Sequence, residues 1–303
     1  MVVFENGSVI VEQVEGEPRL ANINGEYYPS SFNAENVISA KAFKPSADDT
    51  FITTYLKCGT TWVQHIVCQL MLEAYQPGPG QGSELFTYAP VIELVGAEAV
   101  EELPRPRVLK SHLTYSNLPK GEKAKYVLVC RNPKDALVSY FHFAKNHKKY
   151  NFQDGKFDVF FDLYCRGKLP WGGYFDFYKQ WIPHVNDSNV IVLKYEDMKK
   201  DLKGSIVSIG EFLGGRAADI VNDSERLEGV VEASMFESMQ QDQQRWYPGI
   251  LHNSQGFVRK GKTGDWKNYF TKEQSDKIDQ LFEQNFKGTV AENWWIEEMK
   301  WED

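Results

Sequence analysis

The chain has 303 residues, 42% hydrophobic and 14% aromatic, with 42 acidic against 34 basic side chains and a net charge of −8. That is enough apolar material for one large core, and the acidic balance argues against a general nucleic-acid binder, which carries excess Lys and Arg. Any anionic ligand must be gripped by a local cluster of cations, because the global field opposes it.

Cys58, Cys68, Cys130 and Cys165 stand far apart with no Cys-x-x-Cys pair, which fits a reducing compartment and gives no zinc pattern. Residues 1–16 alternate Val or Ile with Glu, without a basic stretch leading into an apolar core. No run of 18 apolar residues occurs. The expectation is a soluble cytoplasmic protein without a membrane span.

Strands are predicted at 50–55, 107–110, 125–130 and 189–194. Helices are predicted at 60–74, 133–147, 157–166, 174–185, 204–213 and 272–286. Tyr126-Val127-Leu128-Val129-Cys130 and Val190-Ile191-Val192-Leu193 are unbroken apolar runs, as in strands buried on both faces of a parallel sheet. The predicted class is therefore α/β, one domain over 1–303 with a central, mostly parallel sheet flanked by helices. In such sheets ligands bind beyond the carboxyl ends of the strands.

The first motif, Lys57-Cys58-Gly59-Thr60-Thr61-Trp62, sits where a strand turns into a helix. The first amides of a helix lack internal partners and carry the positive dipole end, so they hold phosphate. Gly59 lets the backbone approach, Lys57 supplies a charge and Trp62 a flat face. The apolar stripe Val63, Ile66, Val67 and Leu70 leaves His65 off the buried side, which predicts a surface histidine. The lysine precedes the only glycine, so this is no Walker A loop. The Gln76–Gly82 stretch, rich in Gly and Pro, reads as a flexible loop.

Lys110-Ser111-His112 ends the second strand, and residues two apart in an extended segment face the same way. A histidine beside a lysine stays neutral and suits a general base. Arg131-Asn132-Pro133-Lys134-Asp135 follows the third strand. Asn132 can cap the next helix, Pro133 suits its first position, and Ser139 lies about two turns further on the same face. A P-loop kinase often carries a metal-binding Asp at such a strand end, whereas Arg131 repels a metal. The basic, glycine-rich run from Gln255 to Lys267 could wrap an anion or merely face water.

These segments resemble the cytosolic sulfotransferase family. The first loop is similar to Tyr-Pro-Lys-Ser-Gly-Thr-Thr-Trp, with Leu56 and Cys58 in place of Pro and Ser. Arg131 to Phe143 resembles Arg-Asn-Pro-Lys-Asp-x-x-x-Ser-Tyr-x-His-Phe, and Phe257 to Lys267 resembles Phe-x-Arg-Lys-Gly-x-x-Gly-Asp-Trp-Lys. The likeness covers residues 45 to 270, and implies a P-loop-like strand-loop-helix that binds 3′-phosphoadenosine 5′-phosphosulfate without metal. It implies that Lys57, Cys58, Gly59, Thr60, Thr61 and Trp62 take the phosphosulfate end. Arg131, Ser139, Arg259, Lys260 and Gly261 take the 3′-phosphate. Tyr195 and Phe257 lie near the adenine, and Val258, Ser234, Met235, Phe236 and Met239 also contact the cofactor. It further implies transfer of a sulfuryl group to a hydroxyl or amine, with His112 as base and Lys57, Lys110 and Ser139 assisting. The product is adenosine 3′,5′-bisphosphate (PAP).

By the same resemblance Phe86, Tyr88, Val91, Phe143 and Tyr247 line an acceptor pocket beside Lys110 and His112. Such a lining suits a phenol, a catecholamine, a steroid or a retinoid. The family's dimer motif aligns with 267–276, where Lys272 replaces Val and Asp276 replaces Glu, which predicts a monomer or a weak homodimer. Two rival readings stay open: a non-catalytic binder of the nucleotide or of a small hydrophobe, and a nucleoside-phosphate kinase. The tail tryptophans Trp294, Trp295 and Trp301 are expected to pack onto the body.

Overall fold

The computed structural model describes residues 2–6, 9–76, 84–241, 243–246, 249–253 and 257–301. Tyr247, Gln255, Gly256 and most of the Gln76–Gly82 loop lie outside them.

The Val and Ile alternation near the chain start falls in an antiparallel sheet. Strands β1 (Val2–Asn6), β2 (Val9–Gln13), β3 (Leu20–Ile23) and β4 (Glu26–Pro29) make an antiparallel meander. The prediction lacked these strands.

The second sheet contains β5 (Asp49–Thr54), β6 (Arg107–Ser111), β7 (Lys125–Cys130) and β8 (Val190–Lys194), all parallel, in the order β6-β5-β7-β8. It is the α/β arrangement the sequence predicts. Side chains alternate between its faces: Phe51, Leu109, Tyr126 and Leu128 join one buried cluster. Ile52, Val108, Val127 and Val129 join the other. In register, Thr53 faces Ser111 and Thr54 faces Val129, so the carboxyl ends finish at one level. There the chain leaves the sheet at Tyr55, His112, Arg131 and Tyr195.

The six predicted helices form near their predicted positions, with ends set by caps, while others such as Ala34–Ala42 and Ile92–Glu101 were not predicted. Asn132 caps Pro133–Asn146 by accepting from the Asp135 amide. Asp201 starts Leu202–Leu213 two residues before the predicted start. Pro183 ends the regular helix Tyr174–Trp181, and Ile182–His184 continues as a 3₁₀ turn. Thr271 and Gln274 form a capping box on Lys272–Phe286.

The helix Thr60–Met71 departs from expectation. It is buried nearly all round, because Leu202–Leu213, Arg216–Val221 and Ser224–Ala233 cover the side away from the sheet. His65 is consequently a core residue, 1% exposed. Its Nδ1 pairs with the Tyr75 hydroxyl at 2.7 Å and its Nε2 with the Ala233 carbonyl oxygen at 3.1 Å. Burial pushes its pKa down to about 3. A single helical stripe could not reveal this second covering layer.

The tail packs as expected: the Trp295 indole N–H donates to the Glu196 carboxylate at 2.8 Å, and Trp301 lies against Trp266. Lys272 and Asp276 are paired with each other on the surface. No helix among the described residues is long and apolar enough to cross a membrane.

Candidate active site

Four chain segments leaving the sheet build one pocket. From β5, the chain turns through Lys57 at φ 65° and Gly59 at φ 110° before the helix Thr60–Met71. Gly59 is the N-cap, and no side chain caps the helix. A Cβ at Gly59 would meet the Tyr195 ring at 3.1 Å, so the left-handed turn and the close approach both require glycine. Thr60 and Thr61 line the pocket at the helix start. The Thr60 hydroxyl lies 2.6 Å from that of Thr54.

Cys58 is placed differently from its neighbours. Its side chain is fully buried behind the loop and absent from the pocket wall. Burial pushes the thiol up to about 12. What Cys58 offers the pocket side is therefore its backbone.

From β6 come Lys110 and His112, both lining the pocket. His112 donates from Nδ1 to the Thr54 carbonyl oxygen at 2.9 Å, which leaves the lone pair on Nε2. Burial first, then the charges of Lys110 and Lys57, hold its pKa well below the ordinary histidine range. The imidazole is therefore neutral at physiological pH. Its ring lies 5.0 Å from that of Trp171.

From β7 come Arg131 and Ser139. The Arg131 guanidinium lies over the Tyr195 ring at 4.3 Å and donates to the backbone oxygens of Lys57 and Lys262. Lys57 Nζ lies 4.1 Å from the centre of the Phe257 ring and 4.7 Å from that of Phe143. Burial, then the charges of Lys110, Arg131 and Arg259, lower the Lys57 pKa to about 7. Seven Lys and Arg side chains and no carboxylate line the pocket among the described residues, the setting for an anion.

The basic run closes the pocket. Phe257, Val258, Arg259, Lys260 and Gly261 all line it. The Asp265 carboxylate accepts from Arg259 at 2.5 Å and from Lys260 at 2.7 Å. Burial alone would raise its pKa, yet Lys260 and Arg259 draw it down to about 2. Asp135, read in the sequence as a helix-start acid, has a larger task. Its carboxylate accepts from the amides of Gly264 and Trp266 at 2.6 and 3.1 Å and from the Asn132 side chain at 2.9 Å. It fastens the basic run to the start of Pro133–Asn146. Asp135→Ala strands two amide donors, each costing about 1–3 kcal/mol if left unpaired. A urea midpoint lowered accordingly is expected, and an unchanged midpoint would contradict this fastening role.

Some predicted residues stand back from the pocket. Ser234 is buried behind Trp62, accepting its indole N–H on the carbonyl oxygen at 2.8 Å and Gln69 on its hydroxyl at 3.1 Å. Phe236 and Met239 reach the wall, whereas Met235 is 41% exposed to solvent. Val91 bridges Lys110, and the Phe86 ring lies 6.0 Å from the Lys110 ammonium. Tyr88 packs on Tyr75 and donates to the Ala74 carbonyl oxygen, so its ring is engaged there. The sequence reading missed Leu56, Lys199 and Lys262 on the wall. The Lys199 ammonium lies near Phe236 and Trp62, at 5.7 and 6.0 Å. Its signal was the Lys199-Lys200 pair one turn after Tyr195.

Comparison with known proteins agrees with this geometry. A family profile described as a sulfotransferase domain matches residues 47–290. The amine sulfotransferase of Oryctolagus cuniculus is 35% identical over 256 residues, covering 81% of this chain and 83% of that protein. Sulfotransferase 1C2 of Homo sapiens is 33% identical over 269 residues, covering 84% and 88%. The crystal structure of mouse sulfotransferase SULT7A1 complexed with PAP superposes with a TM-score of 0.77 at 29% identity, covering 93% of this chain and all of that one. A retinol dehydratase in complex with androsterone and inactive cofactor PAP superposes at 0.67 and 25% identity, covering 90% and 88%. The chain belongs to the sulfotransferase family and is a sulfuryl-transferring enzyme.

Proposed function

We propose that this enzyme takes its sulfuryl group from 3′-phosphoadenosine 5′-phosphosulfate and passes it to a hydroxyl or amine of a small, apolar or aromatic acceptor. The observation that carries the reading is the convergence of the neutral His112 imidazole, Lys57 and Lys110 on one pocket whose other wall is cationic. The residues fit the cofactor: uncapped helix amides at Thr60 and Thr61, cations at Arg131, Arg259 and Lys260, and aromatic faces at Trp62 and Phe236. Two similar proteins carry PAP in their solved structures.

When bound, the cofactor supplies a sulfuryl group on a phosphate leaving group. His112 Nε2 takes the acceptor proton as the new bond to sulfur forms. Lys57 and Lys110 set ammonium groups where negative charge develops as the old S–O bond breaks, the usual large electrostatic term. Ser139 lies within the same pocket as Lys57 and assists in orienting it. Arg131, Arg259 and the Lys260–Gly261 backbone grip the 3′-phosphate, with Tyr195 and Phe257 about the adenine. No metal is needed, because the cations neutralise the phosphates. Phe86, Val91 and Phe143 wall the acceptor side. One domain, a cytoplasmic location and a monomeric or weakly dimeric state complete the proposal.

Titration calorimetry with PAP, followed by an acceptor panel of phenols, catecholamines, steroids and retinol with labelled donor in chelator, tests it. Lys57 sheds its proton above about pH 7 in the free enzyme, and an adjacent phosphate restores it. PAP binding at pH 8 is therefore expected to take up protons, seen as heats that change with buffer. Absence of PAP binding, or transfer that stops in chelator, would overturn the reading.

A further inference from the structure

Strand β6 is an edge of the parallel sheet, so its outer amides need partners from elsewhere. Residues 90–93 provide them. The Lys110 amide donates to the Pro90 carbonyl oxygen at 2.9 Å, and Val91 bridges Lys110. The next available donor, the His112 amide, meets no carbonyl. It donates instead to the Glu93 side chain, Oε1 at 2.7 Å.

Glu93 is 0% exposed, in the first turn of the helix Ile92–Glu101. Its Oε2 makes no hydrogen bond, with Ser111 and Lys110 as its polar neighbours. A buried carboxylate is costly, and this one serves the His112 amide at 2.7 Å, with its own backbone and the Ser111 side chain as further polar partners. That amide belongs to the residue whose imidazole faces the pocket. The imidazole has its own anchor, the Thr54 carbonyl oxygen, so Glu93 does not touch the reacting nitrogen. Two points, one on the ring and one on the backbone, therefore fix where Nε2 lies.

We propose that Glu93 is a positioning residue for sulfuryl transfer, its carboxylate oxygen holding the His112 amide and thereby locking the acceptor wall at Phe86 and Val91 to the imidazole. Burial pushes its carboxyl up to about 7, against the pull of the His112 amide and Lys110. The hydrogen bond needs only an acceptor oxygen at that reach, in either protonation state. This inference rests on the proposed role of His112.

Three variants separate reach from charge. Glu93→Gln keeps an oxygen at the same reach, Glu93→Asp keeps the charge but withdraws the oxygen by one methylene, and Glu93→Ala removes both. A misplacement of about 1 Å can cost about 10²-fold. The expected result is kcat within about threefold for Gln and down about 10- to 100-fold for Asp and Ala. PAP affinity should stay unchanged in all three. If Ala fails to fold, the Asp and Gln pair decides. Spectra of ¹⁵N-histidine-labelled, unliganded protein supply a readout independent of turnover. The His112 ring signals should move in Asp and stay in Gln. Wild-type kcat and ring signals in Asp, or a loss in Gln as large as in Asp, would overturn the inference. No PAP binding by the wild type would sink the proposed function, while ring shifts in the Asp variant would still show that Glu93 holds the His112 imidazole in place.

Discussion

His112→Ala is expected to lower kcat by about 10²- to 10⁴-fold, the range of a general base, while PAP affinity stays near that of wild type. The separation is expected because the proposed mechanism sets His112 on the acceptor side of the pocket and assigns the phosphate grip to Arg131, Arg259 and the helix start. The imidazole arrives neutral, since burial and two nearby lysines oppose its protonation. Its Nδ1 proton is committed to the Thr54 carbonyl oxygen, so Nε2 is the nitrogen that accepts. Single-turnover kinetics with labelled donor, beside PAP calorimetry, check both halves. Near-normal turnover in the variant would remove His112 from the chemistry.

Lys57→Met is expected to lower kcat by about 10²- to 10³-fold, the cost of losing a preorganised charge at the transition state. The same change should make the free protein more stable. Lys57 is buried among Lys110, Arg131 and Arg259, and its folded pKa is depressed to about 7. Below that pH the folded protein holds a desolvated, repelled ammonium at full cost. Between about 7 and the ordinary lysine range the unfolded chain binds the extra proton, so wild-type stability rises with pH there. The gain from Lys57→Met should thus be largest below about pH 7 and shrink toward pH 10. Thermal melts of both proteins without ligand, across that range, measure it. Methionine keeps the contacts with the Phe143 and Phe257 rings, so charge is the main thing removed. A variant that is active, or less stable at every pH, would contradict this account.

The residues chosen from sequence are mostly those that meet. Lys57, Lys110, His112, Arg131, Ser139 and Arg259 come from four separated stretches and line one pocket. All but Ser139, which sits mid-helix, were legible because each sits at a strand end, a helix start or a glycine-rich run, where local rules place functional groups. Glu93 was not legible. It lies in an apolar run as an ordinary helix-start acid, and only the pairing of residues 90–93 with β6 brings it under His112. Asp135 was half legible, as a first-turn acid but not as the fastener of Gly264 and Trp266, which lie 129 and 131 residues away.

His65 shows the limit from the other direction. Periodicity reports which side of a helix is more apolar, not whether a second layer of helices covers the rest. The amino-terminal meander was missed because its strands are only four or five residues long, too short for a local pattern to mark them firmly. By itself the chain determined the parallel sheet, through its unbroken Val, Ile and Leu runs, and the chemistry of the pocket, through charged and glycine residues at the ends of those runs. The tertiary structure alone decided which buried polar groups support that chemistry. Hydrogen bonds between distant segments depend on how strands and helices are brought together, and no local pattern encodes that pairing.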